Sequence, residues 1–207
     1  MRIVLATHNA HKVTELRAIL GPLLGEHELV SLGDVPGGDG PEPVEDGLSY
    51  AENALIKARA AAATTGLAAI ADDSGIEVEH LDGAPGIHSA RYAGTRDDAD
   101  NRDLLLARMT GVAERRATFQ CAAAFANPGD GRGGRAREVV QLGSWGGTLL
   151  ERATGEGGFG YDPVFRPEGE TRSAAELSPA EKNAVSHRAR AFTALWTRIG
   201  PELDASA

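Results

Sequence analysis

What most constrains the fold of this chain is the alternation of short apolar runs with helix-forming stretches, at crossover spacing early and hairpin spacing later. Arg2-Ile3-Val4-Leu5-Ala6 reads as a buried strand, followed by the polar turn Thr7-His8-Asn9 and a helix over about residues 10–20 with Val13, Leu16 and Leu20 inward. A second strand near 28–32 leads into the Gly/Pro-rich stretch 33–43, a loop by composition. Ser49 and Glu52 have capping-box spacing and open an alanine-rich helix that Gly66 closes. Residues 67–72 are again strand-like, with Asp72-Asp73-Ser74-Gly75 as the turn where that strand ends. Residues 78–92 carry Gly83, Pro85 and Gly86 and read as loop with short extended pieces, before a helix over 96–110. Two long antiparallel strands are expected at 117–125 and 138–150, joined by the hairpin loop 128–137. The loop 154–163 precedes one more short strand. Ser178-Pro179-Ala180-Glu181 then starts a last helix, with Val185, Ala189, Phe192, Trp196 and Ile199 as its apolar stripe. Crossovers and hairpins in one chain predict a mixed α/β sheet.

With 207 residues the chain is expected to form one domain, or one domain in two lobes, large enough to bury its core without disulfides or a structural metal. The lone Cys121 has no internal partner, lies in an apolar run that reads as core, and Cys/His zinc spacing is absent. Neither a basic-plus-apolar leader nor an apolar run long enough to span a bilayer is present, so a cytoplasmic address and no membrane are expected. Thirty acidic against 21 basic residues leave a net charge of −9, which argues against a nucleic-acid polymer as partner. A polyanionic small ligand would need a local basic cluster or a bridging cation. The basic residues are strongly biased to Arg, with Lys only at Lys12, Lys57 and Lys182.

Four constellations carry possible chemistry. In Thr7-x-Asn9-x-x-Lys12, hydroxyl, amide and ammonium meet free N–H groups at a strand-to-helix turn, which suits phosphate; the plainer reading is Asn9 as a helix cap and Lys12 in solvent. Asp72-Asp73, with Glu45-Asp46, offers carboxylates at a strand end for Mg²⁺ or a general base; an exposed acidic pair is the alternative. The formal G-x-G-x-x-G at Gly155–Gly160 does not open a helix, because Tyr161-Asp162-Pro163 continues extended. Its glycines still permit close backbone approach, and Phe159 offers a face for a base or else a core side chain. From Lys182 to Ile199 four basic residues meet no acidic one, a cluster that suits a polyphosphate or else a solvated helix face; His187-Arg188 could instead donate to base carbonyls. A Walker loop and a nucleophile elbow are absent, and no Asp-x-Asp follows the strand at 67–72 as it would in an aspartyl phosphatase.

Taken in order, Thr7-His-Asn-Ala-His-Lys12, Ala71-Asp-Asp-Ser-Gly75, Gly83 to Tyr92, Gly157-Gly-Phe-Gly-Tyr-Asp-Pro163 and Ser186-His-Arg188 resemble the inosine triphosphate pyrophosphatase family, whose bacterial members include dITP/XTP pyrophosphatases. The resemblance runs from residue 3 to about residue 198. It implies an elongated mixed β-sheet flanked by helices, in two lobes with a central cleft, and a homodimer. It implies Mg²⁺-dependent hydrolysis of a non-standard purine nucleoside triphosphate to monophosphate and pyrophosphate. Carried over residue by residue, Thr7, Asn9 and Lys12 would meet the triphosphate, with His8, Ala10 and His11 also binding substrate. Metal or general-base work falls to Asp73, with Asp72 and Glu45 in support and Lys12 assisting. Ser74, Phe159, Gly160, Tyr161, Asp162, Lys182, His187 and Arg188 would complete the nucleotide site. A related pyrophosphatase of the Maf type, acting on other nucleotides, and a non-catalytic nucleotide-binding protein are the alternatives.

Overall fold

Ile3, Val4 and Leu5 have no solvent contact, so the strand they form needs neighbours on both edges and cover on both faces. In the computed structural model, which describes residues 1–129 and 136–205, β1 (Arg2–Leu5) has both. It pairs in parallel with β2 (Glu28–Ser31), Arg2 opposite Glu28, and with β3 (Ala68–Val78), Ile3 opposite Ala68. The full order is β2-β1-β3-β4-β5-β6, with β4 (Arg116–Asn127), β5 (Arg137–Leu149) and β6 (Phe165–Pro167), the last pair antiparallel. The sheet is therefore mixed, as the alternation predicts. Most of the predicted hairpin loop 128–137 lies outside the described residues.

Parallel neighbours require crossovers, and helices supply them. α1 (Ala10–Leu20) connects β1 to β2, and α2 (Tyr50–Thr65) precedes β3. Gly66 ends α2 at φ 68°, a left-handed position that costs glycine nothing. α3 (Asp98–Arg108) is capped by Asp97, which accepts from the N–H groups of Ala99 and Asp100. α4 (Pro179–Val185) and α5 (His187–Ala205) follow.

The chain forms two compact units. The first comprises Met1–Asp73, Cys121–Gly143 and Arg188–Ala207. Strand periodicity divides its core: Ile3, Leu5, Ile70, Cys121 and Phe125 pack with Leu16 of α1 and Phe192 and Ile199 of α5. Their sequence neighbours Val4, Ala69, Ala71, Ala122 and Ala124 pack instead with Ala54, Ala58, Ala61 and Ala62 of α2. The second unit, Ser74–Gln120 and Ser144–His187, has its own core around Ile76, Leu105, Met109, Phe119, Trp145 and Phe165.

Four expectations are corrected. Asp72-Asp73-Ser74-Gly75 is no turn, because β3 runs through it to Val78; both faces are buried there and each carboxylate is paired with a lysine. Residues 78–92 are more ordered than a loop, holding 3-10 helices at Glu79–Leu81 and Gly86–Arg91. Asp162–Val164 is a 3-10 turn rather than an extended segment. The last predicted helix is two, broken at Ser186, whose ψ of 160° is extended. Val185 is accordingly exposed, while Ala189, Phe192, Trp196 and Ile199 form the buried stripe. Among the described residues, no helix is long and apolar enough to cross a membrane.

Candidate active site

Successive side chains on a strand point to opposite faces, so running β3 through Asp72 and Asp73 separates them. Ile70 and Asp72 face α1 and α5; Ala71 and Asp73 face α2. The sequence expectation placed Glu45, Asp72 and Asp73 around one cation. In the structure only Glu45 and Asp73 converge, and among the described residues no group of three His, Cys, Asp or Glu side chains is arranged to hold a metal ion.

On the α2 face, Asn53 donates to Asp73 Oδ2 at 3.2 Å, and Lys57 Nζ lies 3.4 Å from Asp73 Oδ1 and 3.1 Å from Glu45 Oε2. Asn53 and Lys57 are four apart on a helix and so share a face. Burial pushes the Asp73 carboxyl above its ordinary range; Lys57 and Lys12 pull it back, and Glu45 and Asp72 push the same way as burial. For the Lys57 ammonium, burial alone would lower the pKa, yet Asp73, Asp72 and Glu45 together raise it. The result is a buried carboxylate with raised proton affinity, held by one amide and one ammonium.

On the opposite face, Lys12 Nζ reaches Asp72 Oδ2 at 3.0 Å. Arg188, only 2% exposed, donates to the same oxygen from Nε at 3.3 Å and Nη2 at 3.2 Å, and from Nη1 to Glu15 at 2.7 Å. Burial would raise the Asp72 carboxyl, but Lys12, Arg188 and Lys57 outweigh it and hold it far below the carboxylate range. Burial alone would lower the pKa of the guanidinium, but the carboxylates of Asp72 and Glu15 outweigh it and keep the group charged. Arg188 thus spends three nitrogens on the Asp72 and Glu15 carboxylates of the first unit. Asn9 caps α1 by accepting from His11 N–H at 2.9 Å and Lys12 N–H at 3.2 Å, and Thr7 Oγ1 accepts from Asn9 N–H. The plainer reading of Asn9 therefore holds, whereas Lys12 is ion-paired rather than solvated. His8, Ala10 and His11 are exposed around the same turn. Cys121 is core, and burial raises its thiol.

The second unit gathers the rest. Lys182 Nζ pairs with Asp162 Oδ2 at 2.5 Å, both buried, and stands 5.0 Å from the centre of the Phe159 ring. Phe159 is half-buried and outside the core cluster, which favours the open-face reading over the core one. The His187 ring lies flat on Phe119, centroids 4.7 Å apart and planes 7° apart. Ser74 is half-buried on β3, and Tyr161 donates to the Ser89 carbonyl at 2.8 Å.

A family model for the Ham1 family matches residues 3–198. The chain belongs to that family. Among curated relatives, the dITP/XTP pyrophosphatase of Streptomyces avermitilis is 54% identical over 197 residues, 94% of each chain. That of Corynebacterium glutamicum strain R is 48% identical over the whole of both chains. The Staphylococcus aureus Ham1 protein superposes with a TM-score of 0.83 at 33% identity, over 98% of this chain and all of that one. The Mycobacterium abscessus nucleoside-triphosphatase / dITP/XTP pyrophosphatase gives 0.73 at 46% identity, over 94% and 98%.

Sequence reasoning passed over Asn53, Lys57 and Glu15 of this Ham1-family chain. Two signals were present: the rarity of Lys against an Arg-rich background, and the i,i+4 and i,i+3 spacings of Asn53/Lys57 and Lys12/Glu15.

Proposed function

We propose that this Ham1-family chain is a nucleoside-triphosphate pyrophosphatase that hydrolyses dITP, XTP and ITP to the monophosphate and pyrophosphate. The observation that carries the reading is Asp73: a buried carboxyl raised in proton affinity, oriented by Asn53 and set beside Lys57. Such a group is suited to accept the proton of an attacking water. The water oxygen bonds to phosphorus as the α–β anhydride bond breaks, Asp73 takes the proton, and pyrophosphate leaves. Lys12 and Lys57 supply positive charge for the phosphates, with Thr7 and Asn9 at the neighbouring helix start.

Glu45 and Asp73 suit Mg²⁺, a hard cation that takes one or two carboxylates and completes its shell with water and phosphate oxygens; when bound, it offsets phosphate charge. Asp72, pinned by Lys12 and Arg188, acts as the anchor for Lys12 rather than as a ligand.

Selection of the base falls to residues of the second unit. A 6-oxo purine presents an acceptor where adenine presents a donor, and Lys182, a donor only, sits beside the Phe159 face. His187, buried next to Phe119, is the second donor in this reading. Guanine keeps the 6-oxo group and is refused at its 2-amino position. Assembly as a homodimer and action in the cytoplasm, where nucleotide pools lie, complete the proposal.

Pyrophosphate release from ITP, dITP, XTP, ATP and GTP, with Mg²⁺ and with the cation chelated, tests it. The expected result is rapid, cation-dependent release from the first three alone. Binding of ITP without release would assign a nucleotide-binding protein instead.

A further inference from the structure

Residues 155–163 contain four glycines, and such a segment has many backbone conformations open to it. Two contacts from one face of α3 remove that freedom at Gly160. Asp98 Oδ2 accepts the Gly160 N–H at 2.7 Å, and Arg102 Nη1 donates to the Gly160 carbonyl at 2.8 Å. Asp98 and Arg102 are four apart, so both reach from the same side of the first two turns of α3. One contact would leave Gly160 a pivot; two, to both polar groups of one residue, set its orientation as well. Both bonds involve a charged side chain and are the stronger for it.

The residues on either side of Gly160 are locked in turn. Phe159 N–H donates to Asp162 Oδ2 at 2.9 Å, the oxygen that also holds Lys182. Tyr161 is fixed through its hydroxyl to Ser89, whose Oγ accepts from Ile76 N–H at 2.9 Å. A side chain at Gly158, where φ is 70°, would overlap the Asp162 carboxylate. To these contacts Asp98 and Arg102 add a hold on Gly160 from α3, outside the segment itself.

We infer that Asp98 and Arg102 are positioning residues for recognition of a 6-oxo purine: by gripping Gly160 they fix the Phe159 face against the Asp162–Lys182 pair before the nucleotide arrives. The inference rests on the reading of residues 155–163 as the base-recognising segment. Neither residue touches the nucleotide in this account. Their contribution is ordering already present in the free protein, which a loosened segment would have to supply on binding.

The experiment uses the full chain with Asp98→Ala, Arg102→Ala and Asp98→Asn, the last keeping an oxygen acceptor for Gly160. For both Ala variants KM for ITP rises about tenfold, the size of one charge-assisted hydrogen bond, while kcat stays within about twofold. Inhibition by inorganic tripolyphosphate with Mg²⁺, which reads the phosphate contacts alone, is unchanged. Asp98→Asn restores KM, and amide exchange at Gly160 speeds up in the Ala variants only. Unchanged KM and exchange in both Ala variants would overturn the inference. So would a parallel loss of ITP and tripolyphosphate affinity, which marks general damage. If the unaltered protein fails to hydrolyse ITP, the base-recognition reading fails, and Gly160 exchange still reports separately whether the grip exists.

Discussion

Asp72 and Asp73 are neighbours on β3 and face opposite sides of it: Lys12 lies 3.0 Å from Asp72 and Lys57 lies 3.4 Å from Asp73. The two carboxyls are displaced in opposite directions, Asp72 down and Asp73 up. One strand thereby carries, side by side, a carboxyl held in its charged form and one of raised proton affinity.

Asp73→Asn keeps an oxygen for Asn53 and removes the proton acceptor. We expect kcat for ITP to fall by about 10²-fold to 10⁴-fold with Mg²⁺ saturating. Stability should move the other way. A carboxyl whose folded pKa is raised destabilises the fold once it ionises; the penalty is absent below the unfolded pKa and grows as pH rises through the folded one. The variant should melt above the parent at pH 7, with the gap closing below about pH 4. Calorimetry across pH checks this, and near-parental kcat would remove Asp73 from its role.

Lys57→Met takes away the cation that pulls the Asp73 carboxyl down. Its proton affinity rises further, so the acid limb of the kcat/KM profile should move to higher pH. At neutral pH kcat/KM should drop by about 100-fold, since phosphate neutralisation is lost as well. An unmoved acid limb in initial-rate assays from pH 5 to 9 would separate Lys57 from Asp73.

Arg188→Met leaves the buried Asp72 and the half-buried Glu15 with a cation missing. Breaking a buried pair on one side costs about 3–5 kcal/mol, or a fall in Tm on the order of 10 °C for a chain this long. Because the folded pKa of Asp72 is depressed, its stabilisation is present above the unfolded carboxylate pKa and lost as pH falls toward the folded one. The difference in Tm between parent and variant should therefore shrink on acidification below about pH 4. A constant gap would mean that packing, not charge, sets the cost.

Gly158→Ala places a Cβ against the Asp162 carboxylate at a φ that disfavours any side chain. The Asp162–Lys182 pair must shift, so the ITP-to-ATP ratio of kcat/KM should narrow by about tenfold, more than total activity falls. Steady-state kinetics with the two nucleotides decides it; an unchanged ratio would detach this ion pair from selectivity.

Much of this molecule was legible in its residues. The caps at Asn9, Ser49 and Ser178, the left-handed stop at Gly66 and the stripe Ala189, Phe192, Trp196 and Ile199 stand where local pattern puts them. The acidic pair and Lys12 were legible as chemistry, though not as geometry. The turn predicted at Asp72–Gly75 failed because aspartate is a poor strand former in isolation. Burial on both faces, with cations waiting on each, overrides that preference. The break at Ser186 was hidden by a continuous helical pattern on either side of it.

Local periodicity, capping chemistry and turn residues act over a few positions, and so the amino-acid sequence alone determined which segments became strands and helices and which faces turned inward. Which charge meets which was decided by the tertiary structure. Arg188 reaches Asp72 across 116 positions of chain, and Glu15 across 173. Such partners are chosen by sheet pairing and helix packing, whose energies belong to the whole assembled core and to no single stretch of it.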